Sequence, residues 1–236
     1  MGRIVCVANQ KGGVGKTTTA SNVAAGLAKA GMQTLLVDLD PQCNATTGLG
    51  GIPAETHPLV SEAALGENVV STAVTNLSLL PGSRSVRDVE RIAEQARAGS
   101  MVLSNHLSCG LNAWDYCLID CPPSLGELTR TALAGSTEVL MPIQCEYFAL
   151  EGLTQMIEVI RDVMADQPGR LSFSGIVLTM HDANLELTTE VEQEVRDFFG
   201  EIVFDTVIPR DVAVSEAPSH ALSVLDYAPR SLGARA

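Results

Sequence analysis

Lys11, Gly12, Gly13, Gly15, Lys16 and Thr17 stand together in the stretch Q-K-G-G-V-G-K-T-T-T-A, residues 10–20, directly behind the apolar run 4–8. Glycine at 12, 13 and 15 lets successive backbone N–H groups turn toward one point and leaves out side chains that would hold phosphate oxygens away. Lys16 adds a point charge for β- and γ-phosphates, and the Thr17 hydroxyl is a ligand for Mg²⁺. A helix beginning at this point adds the positive end of its dipole. Backbone, ammonium and helix together make a binding loop for a phosphate chain. The common spacing G-x-x-x-x-G-K-[ST] is not met literally, because Gln10 occupies the first glycine position and Lys11 precedes the glycines that remain.

Two further stretches carry carboxylates. The run L-L-V-D-L-D-P-Q, residues 35–42, places Asp38 and Asp40 two apart, on one face of a strand. Side by side in a dry site they would repel, and a metal ion between them and the phosphates removes that penalty. Asp40 is read as positioning the attacking water, and Asp38 as part of the magnesium shell or of a switch; helix capping by either is the plainer alternative. The run Y-C-L-I-D, residues 116–120, delivers Asp120 at the end of a buried strand, and beside the loop it is assigned to the Mg²⁺ shell.

Strands and helices must bring these pieces to one edge. Strands over 5–9 and 34–39 bracket an amphipathic helix over 16–30 that Gly31 closes. The stretch 43–67, rich in Gly, Thr and Pro, reads as a mobile segment over the ligand. A short strand over 77–81 leads to a helix over 85–98, and strands over 116–120 and 138–143 precede a long helix over 149–165. A strand over 173–180, an acidic helix ending at Phe199 and a last strand over 203–208 complete the alternation. The expected fold is α/β: a single-domain nucleotide-binding fold spanning 1–236, its sheet twisted and mostly parallel with helices on both faces. Open parallel sheets bind ligands at the carboxyl ends of their strands, where the loop and the carboxylates all fall.

Composition bounds the alternatives. With 236 residues, 46% hydrophobic and 18% charged, the chain is long enough and apolar enough for a substantial core. A formal net charge of −13 opposes general attraction to DNA or anionic lipid, so any nucleic-acid site must be a local basic patch. The six cysteines form no C-x-x-C pair and read as reduced thiols in a cytoplasmic setting; Cys117 and Cys121 lack the partners that would complete a metal site. No signal peptide and no long unbroken apolar run is evident, which argues against secretion and membrane spanning.

The loop K-G-G-V-G-K-T resembles the deviant phosphate loop of the ParA/Soj and MinD ATPases. Beyond it, the stretches L-L-V-D-L-D-P-Q-C-N-A-T-T-G-L-G, L-I-D-C-P-P-S-L, P-I-Q-C-E-Y-F-A-L-E-G-L and V-I-P-R-D-V resemble the small ParA/Soj partition ATPases over nearly the whole chain. That resemblance implies a P-loop NTPase fold, slow Mg²⁺-dependent hydrolysis of ATP and an ATP-bound homodimer in which Lys11 reaches the partner subunit's nucleotide. It also implies sequence-independent binding to double-stranded DNA, a ParB-like activator and association with the nucleoid. Residue by residue it gives the phosphates to Lys11, Gly12, Gly13, Val14, Gly15, Lys16, Thr17 and Thr18, with Lys11, Lys16 and Asp40 catalytic and Thr17, Asp38 and Asp120 around the metal. Pro209 and Asp211 fall where the family's loop contacts base and ribose, Asp211 standing where an Asn is common. Met180, at the end of the preceding strand, is a candidate for the adenine wall or for core packing.

Three departures qualify the DNA expectation. The family usually continues with a further amphipathic helix beyond the position of Ala236, the same place where MinD-type proteins carry a membrane anchor. Residues 219–224 read S-H-A-L-S-V where many relatives carry a Gly-Lys pair. Glu186, Glu190, Glu192, Glu194 and Asp197 outnumber Arg196 along one helical stretch. Arg210 is the leading basic candidate; Arg84, Arg87 and Arg91 form a row interleaved with acids that also reads as a solvated, ion-paired face. The alternative is a positioning ATPase that works on a protein cargo without touching DNA. The four histidines suggest neither a catalytic base nor a metal site.

Overall fold

The computed structural model describes residues 2–58, 65–87, 113–147 and 153–236. In chain order these form β1 (Arg3–Val7), α1 (Lys16–Lys29), β2 (Thr34–Asp38), α2 (Asn44–Gly48), α3 (Leu65–Asn68), β3 (Val70–Ser71), β4 (Leu77–Leu80) and β5 (Tyr116–Asp120). They continue with α4 (Glu127–Gly135), β6 (Glu138–Gln144), α5 (Leu153–Asp166), β7 (Ser172–His181), α6 (Glu186–Phe199) and β8 (Val203–Pro209). Short helices α7 (Val212–Glu216), α8 (Val224–Tyr227) and α9 (Leu232–Arg235) follow. Residues 88–98 of one expected helix and 149–152 of another lie outside the described residues, as do Arg91, Cys109 and His106.

One sheet of eight strands runs in the order β3-β4-β2-β5-β1-β6-β7-β8. Among the described residues only the β3–β4 pair is antiparallel. The strands alternate their apolar side chains between two cores. Ile4 and Cys6 of β1, Leu35 and Val37 of β2, and Cys117 and Ile119 of β5 join one cluster with α4, α5 and α6. Val5 and Val7, Leu36 and Leu118 join the other, against Ala20, Ala24, Ala25 and Ala28 of α1. Both faces of the central strands are therefore covered, which is why they read as continuous apolar runs. The row of alanines lets α1 lie close on the sheet, and each fully buried Leu or Val beneath it contributes about 1.5–3 kcal/mol.

Two expectations are revised. β2 stops at Asp38, so Asp40 lies in a turn ahead of Pro41 rather than on the strand, and its N–H donates to Asp38 Oδ1 at 3.1 Å. The segment after Cys43 is not loose throughout: Asn44–Gly48 is helical, with Ala45 and Thr46 fully buried and Thr46 bonded to Asp38. Its glycine and threonine content signals small, hydrogen-bonding residues packed at close quarters. β3, two exposed residues long, leaves too short a pattern to be read from sequence.

Candidate nucleotide-binding site

The carboxyl ends of β1, β2 and β5 meet at the loop. Gly13 and Gly15 take φ values of 78° and 87°, the left-handed region that glycine enters without strain, and Gly15 opens α1 with no side-chain cap on its amides. Asn9 frames the loop: its Oδ1 accepts from Lys11 N at 3.0 Å, and its Nδ2 donates to Pro142 O at 2.7 Å. From the other side the Thr179 hydroxyl lies within donating distance of Val14 O, at 2.9 Å, and Ile143 O, at 3.2 Å. Lys16 folds back so that Nζ donates to Lys11 O at 2.8 Å. Burial pushes its ammonium pKa down, opposed by the neighbouring Asp120 and Asp40.

Asp38, Asp40 and Asp120 are buried, at 0%, 6% and 0% exposure. Asp38 and Asp120 are register partners on adjacent strands. Asp38 is fully engaged: Oδ1 accepts from Asp40 N, and Oδ2 accepts from Thr46 N at 2.8 Å and Thr46 Oγ1 at 2.6 Å. Burial lifts its pKa to about 6 despite those bonds. These contacts tie Asp38 to the Asp40 turn and to Thr46. Asp40 Oδ1 accepts from Gln42 N at 2.9 Å. Asp120 differs from both, because neither of its oxygens meets a donor in hydrogen-bond geometry. Burial and then the nearby Asp38 push its pKa well above the carboxylate range, with the Thr17 hydroxyl and Lys16 close enough to favour its charge.

A small cavity of about 100 Å³ opens beside the loop. Gly15, Thr18, Met180, Pro209, Arg210 and Asp211 are among its lining residues, so the fold gathers every position assigned to base or ribose. Met180 has φ 53°, an uncommon backbone for a side chain of its size. Asp211 reaches the cavity wall with its oxygens already engaged, Oδ1 accepting from Ala213 N at 2.9 Å and Oδ2 from Gly233 N at 2.8 Å. It caps α7, and its contribution to the cavity is shape before hydrogen bonding.

Glu146 carries no signal of its own in the sequence. Its Oε2 lies 3.6 Å from Lys11 Nζ and its Oε1 3.8 Å from an Arg210 nitrogen, so one half-exposed carboxylate holds both cations within the subunit. Asn9, Thr46, Thr179 and Glu146 all stand in or beside stretches that carry the family resemblance or close the adjoining strands, and only their side-chain bonding marks them out. Arg84 and Arg87 are exposed. Arg196 pairs with Glu192, and the Glu192 carboxylate also lies 2.8 Å from His181 Nε2. His220 stacks on Tyr227.

Could this edge hold Mg²⁺ and a nucleotide? Among the described residues no group of three His, Cys, Asp or Glu side chains is arranged to hold a metal alone. Mg²⁺ does not need one, since it is commonly bound by one or two protein oxygens with phosphates and waters supplying the rest. The unpartnered Asp120 carboxyl beside Thr17, under a loop with left-handed glycines and free helix amides, fits that chemistry. The buried Cys6 and Cys121 thiols lie 3.3 Å apart, and among the described residues they belong to no group of three metal-ligating side chains.

Known proteins resemble the chain throughout its length. A family model described as an AAA domain matches residues 2–173. The chromosome-partitioning ATPase Soj of Treponema pallidum is 45% identical over 100% of this chain and 94% of its own. The chromosome partitioning protein ParA of Caulobacter vibrioides is 42% identical over 99% of this chain and 90% of its own. Among solved structures, cobyrinic acid a,c-diamide synthase from Mycobacterium smegmatis with bound ADP and magnesium superposes with a TM-score of 0.84 at 32% identity, covering 94% of this chain and 93% of that one.

Proposed function

The chain belongs to the Soj/ParA family of chromosome-partitioning ATPases, and on that premise we propose that it is an ATP-dependent dimerisation switch for DNA segregation. It is a Mg²⁺-dependent ATPase. The observation that carries the site assignment is Asp120, a buried carboxyl beside the Thr17 hydroxyl and Lys16 whose oxygens have no partner in hydrogen-bond geometry.

Thr17 and Asp120 would hold Mg²⁺, which supplies charge neutralisation between the phosphates. Lys16 would exchange its bond to Lys11 O for phosphate oxygens, while the amides of residues 12–18 line the phosphate chain. Asp40 orients the water, and Asp38 holds the turn that carries Asp40. Met180 and Pro209 flank the base. Catalysis rests on alignment and fixed charge, consistent with a slow switch.

Lys11 reaches across to the partner subunit's nucleotide, so dimerisation follows ATP. The dimer binds duplex DNA without sequence preference, Arg210 contributing, and a ParB-like protein stimulates hydrolysis. The protein works in the cytoplasm, at the nucleoid; among the described residues no helix is long and apolar enough to cross a membrane. A second reading, positioning of a protein cargo without DNA, is favoured by the pairing of Arg210 with Glu146 and by the acidic α6.

Sedimentation with ATP and with ADP tests the switch. An ATP-specific dimer that disappears in Lys11→Ala is expected, and an ATP dimer intact in that variant would refute the crossing lysine. Binding to arbitrary duplex DNA over a salt series separates the two readings. ATP-dependent binding that weakens with salt and with Arg210→Ala supports the DNA role, and dimerisation without binding supports the cargo role.

A further inference from the structure

Thr46 is completely buried, and its hydroxyl is used twice. It donates to Asp38 Oδ2 at 2.6 Å and accepts from Gly82 N, just past β4, at 2.8 Å. Its own N–H gives Asp38 Oδ2 a second donor at 2.8 Å. Gly82 must be glycine for this approach, since a Cβ there would stand 2.8 Å from Asp38 Cγ. Asp38 in turn receives the N–H of Asp40. A valine would fill the same space, so packing alone does not require a hydroxyl. What requires it is an acceptor for Gly82 N and a donor for a carboxylate that makes no ion pair among the described residues.

We propose that Thr46 is a positioning residue for hydrolysis: its hydroxyl fixes the Asp38 carboxylate, which fixes the turn that carries Asp40, with the end of β4 as the anchor. Nucleotide binding rests on other groups, the loop amides and Lys16. The inference depends on the role given to Asp40 above, and it locates the control of that role outside the phosphate loop.

Thr46→Val and Thr46→Ser decide it, with steady-state ATP hydrolysis and, on nucleotide-free protein, amide hydrogen exchange. Thr46→Val should lower kcat by about 10²-fold, the scale of a misplaced reacting group. KM for ATP should stay within about twofold. Thr46→Ser, which keeps the oxygen, should recover most of the rate. Exchange protection should fall at the Asp40 and Gly82 amides in Thr46→Val and persist in Thr46→Ser. Unchanged kcat in Thr46→Val, equal losses in both variants, or protection that survives the loss of the hydroxyl would overturn the proposal. If Thr46→Val does not fold, Thr46→Ala against Thr46→Ser makes the same one-oxygen comparison. A wild-type protein that hydrolyses no ATP would sink the ATPase reading, while the exchange data would still decide whether Thr46 anchors the turn.

Discussion

Asp38 and Asp120 are partners on neighbouring strands, yet one is saturated with donors and the other has none in hydrogen-bond geometry. Their titration differs in consequence. Asp38 keeps its proton to about pH 6 in the folded chain, against 3.8 as its ordinary value. Between those values the unfolded chain has released a proton that the folded one retains, so Asp38's share of stability falls as pH rises through the window and stays lost above it. At roughly 1.4 kcal/mol per pH unit the loss is about 3 kcal/mol. Urea unfolding of nucleotide-free wild type and Asp38→Asn at pH 4 and pH 7 should show a loss larger in the wild type by about that amount, Asp120 contributing to both; parallel profiles would count against it. Asp120→Asn removes an ionisable group whose charged form burial disfavours. It should stabilise the nucleotide-free protein, by about 1 kcal/mol or more, and abolish most Mg²⁺-dependent hydrolysis. A variant that loses both stability and activity would mean that Asp120 holds the fold together instead of waiting for a cation.

At the scale of elements, the close contact between the end of β4 and the end of β2 is decided by one missing methyl group. Gly82→Ala would force a Cβ against Asp38 and should cost about 1–3 kcal/mol in chemical denaturation, together with slower hydrolysis. A neutral result would show that the segment shifts freely. At the opposite ends of the strands, Arg3 of β1 forms a two-pronged pair with Glu138 of β6, and Ser174 also donates to Glu138. The Arg3 hydrogen bonds hold the Glu138 pKa below its ordinary 4.5. That stabilisation is complete above pH 4.5 and disappears as pH falls through the lower folded value. Because Arg3 is well exposed, Glu138→Gln should cost less than about 1 kcal/mol near neutrality and nothing at strongly acid pH.

For the whole molecule, the arrangement of charge matters more than its total of −13. Lys11 and Arg210, from opposite sides of the site, converge on Glu146 within one subunit. If Lys11 serves the partner's nucleotide, this pairing opposes dimerisation. An exposed pair is worth about 0.2–1 kcal/mol, so Glu146→Gln should tighten the ATP dimer by about 1.4- to fivefold per pair in sedimentation equilibrium. An unchanged or weaker dimer would show instead that Glu146 orients the lysine for its crossing.

The phosphate loop, the strand-end aspartates and the alternation of strand and helix were legible because each is local. Glycine φ angles, a lysine after a turn and a run of apolar residues are set by neighbours in the chain. The sequence by itself determined an α/β nucleotide-binding fold and the glycine-lysine loop at the head of its first helix. It did not determine which strand lies beside which. Placing β5 between β2 and β1 sets Asp120 against both Asp38 and the loop. The Thr46–Gly82 bond spans 36 residues and the Thr179–Val14 bond 165. Bonds across such separations arise only when parallel strands come into register, and a pattern of alternating polarity is compatible with many strand orders. The tertiary structure alone decided that Asp38 would be bound by Thr46, that Asp120 would be left open, and that Glu146 would hold two cations.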